Sequence, residues 1–354
     1  MTGKRTAAAV LALAAVLAFG APAAAAPKEL NVLTWCDHTD RELVGAFEKA
    51  HGVKVNLKEY DGTGVALALL EQSKPGDWDV FVVDSIDVAR VVKQGILAPL
   101  NEADFPFADI FPQIRTPELH KVGGKLYAVP EKFGYNTIAF NKAKVDAKDM
   151  RDASVLWNPK YKGRLAVYDY YIPVIEMVGI GLGIKPSDLN ASHLKAVKEK
   201  LFLMKAHSKV VGDVVTVQTA LATGEVDIIA GGGEFAVSVL NKENPNLDWM
   251  LPDQGGVRWQ QAIGVFAASK KKELATQFIK YIMSPDGQGK LATSSCYWAM
   301  PANSKATLTA EQKKILRWDE QPKFLANSYF YLRPDEAFDK ALLDTWTEFL
   351  QYTP

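Results

Sequence analysis

The chain carries five histidines, His38, His51, His120, His193 and His207, and two cysteines, Cys36 and Cys296. A zinc-hydrolase site of the helix-borne kind needs two imidazoles at i and i+4, and no H-E-x-x-H or related spacing occurs. A serine hydrolase of the α/β type needs its nucleophile on a strand-to-helix elbow, and no G-x-S-x-G is present. Cys36 and His38 stand two apart, a spacing that does not by itself make a thiol–imidazole dyad. These absences argue against an enzyme, and no cofactor is expected. Two other constellations can hold a ligand without transforming it. Asp169, Tyr170 and Tyr171 are hard oxygen donors of the kind that suits ferric iron. Gly231-Gly232-Gly233 opens an expected helix, whose N-terminal N–H groups can receive an anion with Arg258 as partner.

The elements that would position such groups begin behind an export signal. Residues 1–26 run from a basic start (Lys4, Arg5) through an apolar stretch, 7–19, into Ala-Pro-Ala-Ala-Ala-Ala. That order is the pattern of a cleaved secretory signal peptide. The apolar stretch is shorter than the roughly 20 residues a bilayer span needs, and no second such run follows. Pro27 disfavours a cut directly before it, so cleavage is expected after Ala25. No cysteine lies near the cleavage zone to carry a lipid. The mature chain is therefore expected to diffuse freely in the periplasm. Of 354 residues 48% are apolar and 23% charged, with 41 basic and 41 acidic side chains. Loss of Lys4 and Arg5 leaves a slightly acidic chain, and neither this balance nor any basic run suggests nucleic acid. The remaining length suffices for two domains with proper cores.

From residue 30 strands and helices alternate. Residues 30–34 form a short apolar strand. Thr39 and Glu42 offer a capping box for a helix through Leu43, Val44 and Phe47, which Gly52 stops. Val53, Val55 and Leu57 alternate as a strand, 65–70 is an expected helix, 79–83 a buried strand, and Val88, Val91 and Val92 a further helix. This order predicts a parallel sheet covered on both faces. Further on, 126–130 and 137–141 are expected strands flanking Glu131-Lys132-Phe133-Gly134-Tyr135. Strands follow at 165–168 and 225–230, helices at 173–182, 194–207 and 214–223, an extended segment at 256–266, and helices at 270–283 and 334–351.

Four stretches, in this order, resemble the periplasmic solute-binding proteins of ABC importers, in the polyamine-binding (spermidine/putrescine) branch. They are LNVLTW at 30–35, WDVFVVDS at 78–85, ALATGEVD at 220–227 and ELATQFIKYIMSP at 273–285. The resemblance covers essentially all of the mature chain. It implies an α/β, two-lobed periplasmic-binding-protein fold of type II, each lobe a mainly parallel sheet flanked by helices, with hinge crossovers. Lobe one would comprise 27–134 and 263–305, lobe two 135–262 and 306–354. The ligand would lie in the cleft at the C-terminal ends of the strands, and hinge closure would bury it.

The resemblance also implies site residues. Trp35 matches the first-strand tryptophan, Ser85 the serine ending the third strand, Trp259 the tryptophan of the return between lobes, and Tyr297 the late-loop tyrosine. A carboxylate of the lobe-two turn falls at Asp169 or Tyr170. This chain departs from the pattern elsewhere: His38 and Asp87 replace aromatics, Pro173 a glutamate, Ala230 a tryptophan and Gln261 an aspartate. The implied ligand-binding set is Trp35, Ser85, Asp87, Asp169, Tyr170, Trp259, Gln261 and Tyr297. Cys36 follows one matched aromatic and Cys296 precedes another, so a Cys36–Cys296 disulfide is expected if both face one cleft; two buried free thiols are the alternative.

Aromatic faces stabilise an ammonium by ~2 kcal/mol when desolvated. Trp35, Tyr168, Tyr170, Tyr171, Trp259, Tyr297 and Trp298, with Asp37, Asp87 and Asp169, suit a small amine-bearing solute. A polyamine-like molecule or an ω-amino acid fits, the latter using Arg258 and the glycine turn for its carboxylate. The expected protein is a monomeric receptor that delivers this solute to the transmembrane subunits of an ABC permease. A ferric-iron receptor and a periplasmic hydrolase are the alternatives.

Overall fold

The computed structural model describes residues 28–331 and 334–353; the signal-peptide reading of residues 1–26 lies outside them. Strand β1 (Lys28–Thr34) pairs in parallel with β2 (Val53–Glu59) on one side and β3 (Val80–Asp84) on the other. Alternation along β1 and β3 supplies two cores. Leu30, Val32, Val80 and Val82 join one hydrophobic cluster; Leu33, Phe81 and Val83 join another. Strands buried on both faces read as continuous apolar runs, which is why residues 79–83 are legible as a strand. The helix Arg41–His51 between β1 and β2 packs Leu43, Val44 and Phe47 inward and ends on Gly52 at φ 61°, a left-handed cap that glycine adopts without strain. Its N-cap is Asp40, which accepts from the Glu42 N–H, not Thr39 as expected. Thr39 instead donates to the Cys36 carbonyl at 2.7 Å, one residue short of the helix.

The expected break at residues 131–135 does not occur. Residues Ala128–Asn141 form one fourteen-residue strand, β4. Next come β5 (Leu165–Tyr168), β6 (Ser208–Gly212), β7 (Ile228–Gly232), β8 (Leu247–Met250), β9 (Gly256–Val265), β10 (Met300–Pro301) and β11 (Ser328–Phe330). The sheet order is β2-β1-β3-β9-β4-β7-β5-β6, with β8 and β10 pairing β4 and β11 pairing β9. The two ends of this path are parallel triplets, β2-β1-β3 and β7-β5-β6. The long antiparallel pair β9 and β4 runs between them. A third cluster, with Phe140, Leu165, Ile175, Leu201 and Trp346, fills the second end.

Both triplets end near the same pair of long strands. Thr34 and Asp84 end β1 and β3; Tyr168, Gly212 and Gly232 end β5, β6 and β7. Side chains just beyond these ends face the middle of the molecule, where open parallel sheets bind ligands. Among the described residues no helix is long and apolar enough to cross a membrane.

Candidate functional site

Beyond the end of β1, Asp37 and His38 are fully buried in a short turn. Asp37 Oδ1 lies 3.1 Å from His38 Nδ1, and His38 Nε2 lies 3.2 Å from Glu131 Oε2. Lys132 Nζ donates to Asp37 Oδ2 at 3.0 Å and sits 3.9 Å from the centre of the Tyr297 ring. Gln261 Nε2 donates to Asp37 Oδ2 (3.2 Å) and Glu131 Oε1 (2.9 Å). The Tyr297 hydroxyl, 3.0 Å from Asp37 Oδ2 and 2.9 Å from Gln261 Oε1, shares one proton between two acceptors. Neighbours on a regular strand point to opposite faces, yet Glu131 and Lys132 both enter this cluster. A bulge explains it: opposite β9, Gln261 faces Lys132 and Ala262 faces Pro130, so Glu131 is the extra residue.

Burial would raise the Asp37 carboxyl, but Lys132 and His38 outweigh it and hold the group well below the usual range. Burial likewise opposes charge on His38, but Glu131 and Asp37 raise it to about 10. Lys132 is drawn below its ordinary value by burial, against the pull of Asp37 and Glu131. Two carboxylates and two cations thus neutralise one another inside the protein.

From Tyr297 a series of ring contacts leads across the molecule. Trp259 meets Tyr297 edge-on at 6.3 Å and Phe235 at 6.4 Å. Phe235 touches Tyr168 at 5.9 Å, Tyr168 touches Tyr170 at 5.9 Å, and Tyr170 touches Tyr331 at 6.2 Å. Tyr331 donates to Asp84 at the end of β3, and Asp84 faces Gln261 across the β3–β9 ladder, which closes the circuit. The rings come from the end of β5, from the helical turn after β7, from β9, from the loop before β10 and from the residue after β11. Gly134 makes room for this arrangement: a Cβ there would lie 1.8 Å from Glu234 Oε1 and 2.5 Å from the Trp259 ring. Trp35 packs half-buried between two cores, and its buried Nε1 has no hydrogen-bond partner of acceptable geometry, although Tyr60 lies beside it.

Tyr168 carries an electrostatic signature. Burial raises its hydroxyl to about 12, and the carboxylates of Asp213, Asp169 and Asp61 add to the shift. Asp61 follows β2, Asp169 follows β5 and Asp213 follows β6, and all three are exposed. Carboxylates from both ends of the sheet therefore add to the negative potential at one aromatic side chain, a field that draws cations.

Several expected residues are placed otherwise. The Ser85 hydroxyl hydrogen-bonds His120 Nε2 at 3.1 Å, as does Gln260 Nε2. Gln260 and Gln261 alternate on β9, so Ser85 belongs to the side away from Trp259 and Gln261. Asp87 is buried and faces Arg90 at 3.9 Å. Asp169 accepts from Trp346 Nε1 at 2.7 Å. Tyr171 donates to Asp339, while Tyr170 turns to Tyr331, so the oxygen trio proposed for iron diverges to three partners. Trp298 is buried in the core. Arg258 is no anion clamp: it is buried and donates to Ser328 Oγ and the Leu325 and Gln113 carbonyls. At the end of the glycine turn stands a buried acid of the chain itself, Glu234, whose two oxygens accept from the Tyr135 N–H at 3.2 Å. Burial raises the Glu234 carboxyl well above its ordinary value.

Sequence reasoning passed over Lys132, Glu131, Glu234, Asp61 and Asp213 as site residues. The available signal for the first two was a charged pair directly after the apolar run at 126–130. A Cys36–Cys296 disulfide, with Cα atoms 6.0 Å apart, ties the turn bearing Asp37 to the loop bearing Tyr297. Closing so long a loop typically contributes about 2–4 kcal/mol. Denaturant unfolding with and without reductant should differ by that amount, and identical midpoints would mean that the crosslink is not formed in solution.

Residues 42–326 match the bacterial extracellular solute-binding proteins. A spermidine/putrescine-binding periplasmic protein of Escherichia coli (strain K12) is 25% identical over 297 residues, 81% of this chain and 82% of that protein. An Fe(3+)-binding periplasmic protein of Serratia marcescens is 28% identical over 298 residues, 82% of this chain and 83% of that protein. Among solved structures, the spermidine/putrescine ABC transporter substrate-binding protein PotD of Streptococcus pneumoniae has a TM-score of 0.80 at 19% identity, over 92% of this chain and 99% of that one. The fold is that of the two-lobed binding proteins.

Proposed function

This chain belongs to the bacterial extracellular solute-binding protein family, and from that premise we propose that it is an exported receptor that carries a small amine-bearing solute to an ABC permease. In this reading lobe one comprises residues 27–134 and 263–305, lobe two comprises 135–262 and 306–354, and β4 and β9 are the crossovers. The observation that carries the reading is the aromatic circuit from Tyr297 through Trp259 and Tyr168 to Tyr331, bordered by Asp61, Asp169 and Asp213. Ring faces and nearby carboxylates stabilise an ammonium, and the apolar rings shed water from an alkyl chain. Trp35, Tyr170, Trp259 and Tyr297 are its proposed ligand contacts; Gln261 holds Tyr297 in place. The divergent Asp169, Tyr170 and Tyr171 oxygens disfavour the iron reading.

A thermal-shift screen of diamines, polyamines, quaternary amines, ω-amino acids and sugars tests this. A ligand at roughly a hundred times its Kd stabilises by about 2.7 kcal/mol, so at least one amine should raise Tm and no sugar should. Trp259→Ala should remove that response while keeping a cooperative melt. A panel in which no amine shifts Tm refutes the reading; a shift retained by Trp259→Ala takes Trp259 out of the site.

A further inference from the structure

One end of the aromatic circuit meets a buried cluster of charges in which an ammonium of the chain itself is already held. Lys132 Nζ has the surroundings of a bound ammonium: a ring face at 3.9 Å, a carboxylate at 3.0 Å and the Tyr297 carbonyl at 3.3 Å. The lysine comes from the central strand β4 and is fully buried. Tyr297, whose ring it covers, is the residue through which Trp259 and the rest of the aromatic circuit reach this end.

We propose that Lys132 is the specificity-determining residue of the cleft: its ammonium takes, from within the chain, the aromatic–carboxylate position that a second ligand ammonium would need, so the receptor accepts solutes with one positive charge and rejects diamines and polyamines. This rests on the amine-receptor reading above.

Three counts support it. Asp37 Oδ2 already receives Lys132, Gln261 and the Tyr297 hydroxyl, and Oδ1 receives His38, so a ligand ammonium would have to compete with donors already in place on both oxygens. The charges of Asp37, Glu131, His38 and Lys132 balance without a ligand, so a further ammonium would be buried uncompensated beside Lys132. Gln261 donates to both carboxylates and adds no charge of its own. At the other end of the circuit Asp61, Asp169 and Asp213 are exposed just beyond the ends of β2, β5 and β6 and act electrostatically on Tyr168; there the single cationic end of a solute would be received.

Calorimetric titration of the full mature chain with 1,4-diaminobutane, n-butylamine and 4-aminobutanoate tests the proposal. The unaltered protein should bind a single-ammonium probe at least about tenfold more tightly than the diamine. Lys132→Ala opens the position and should strengthen diamine binding by about tenfold or more. Lys132→Gln keeps a donor without the charge and serves should the alanine variant not fold; it should move in the same direction. Diamine binding by the unaltered protein as tight as that of the single-ammonium probes overturns the proposal while leaving the amine-receptor reading intact. So does an unchanged probe order in both variants. If the unaltered protein binds none of the probes while the broader amine screen also fails, both readings fall together.

Discussion

Asp37→Asn is expected to lower the stability of the protein by about 3–5 kcal/mol, the usual result of removing one partner from a buried ion pair. Asparagine keeps the shape and loses the charge. His38 and Lys132 would then share one carboxylate, that of Glu131, in a place with no solvent access. Three donors now converge on Asp37 Oδ2, and an amide oxygen binds each of them more weakly than a carboxylate does. For a chain of this size the loss should lower Tm by roughly 4–7 °C. Adding Lys132→Met restores charge balance, with His38 still paired to Glu131, and should recover at least half of the loss. The coupling between the two changes in a denaturant-unfolding cycle is the measurement. A single-variant loss below about 1 kcal/mol, the range of exposed pairs, would mean that water reaches the cluster and that its charges are not mutually dependent.

That cluster also marks the limit of what one sequence reveals. The alternation of strands and helices from β1 to β3 was legible because buried parallel strands are apolar throughout and the intervening helix ends on a glycine. The helices Leu194–His207 and Val214–Thr223 were legible from their own periodicity and end where expected. The middle of β4 was not. Glu131, Lys132 and Gly134 look like a turn to any local rule, because their partners lie at residues 37, 38, 234, 259, 261 and 297. A strand interior can hold charges when distant residues neutralise them, and no window of neighbouring residues contains that information. Local rules leave the faces of β9 undecided for a related reason, and only the resemblance singled out Trp259 and Gln261 together. Arg258 and Trp259 are adjacent, and which of them meets the aromatic circuit depends on parity, which the sequence leaves open. The structure gives the even positions, Arg258 and Gln260, to Gln113, Ile114 and His120, and the odd ones, Trp259 and Gln261, to Tyr297.

Stability should change less between about pH 4.5 and 6.5 than above, where it falls, because buried groups act with different signs and His207, lowered by burial, sides with His120. His38 has its folded pKa raised from 6.5 to about 10, so its contribution is complete below 6.5 and is lost as pH rises toward 10. His120 is held neutral, burial lowering it to about 3, so its contribution is complete above 6.5 and is lost as pH falls toward 3. Glu234 keeps its proton in the folded state well above the ordinary carboxyl value of 4.5, so its contribution declines as pH rises from there. Between 4.5 and 6.5 the gain from His120 and the loss from Glu234 oppose each other. Above 6.5 His120 is constant while His38 loses, at up to about 1.4 kcal/mol per pH unit for one proton, and Glu234 adds to that loss over the range through which burial keeps it protonated. Asp37, held low, adds a loss only on the acid side of its ordinary value. Lys132, drawn downward, acts in the opposite sense on the most alkaline side. Urea midpoints from pH 4.5 to 9 read the profile directly. Glu234→Gln, which imitates the protonated carboxyl, should lessen the alkaline slope and tilt the region below 6.5 upward with pH, because His120 then acts unopposed. An alkaline limb that Glu234→Gln leaves unchanged would show that Glu234 is ionised in the fold and that the turn after β7 holds a charge in place of a neutral acid; a limb that rises would show that His38 is not held charged.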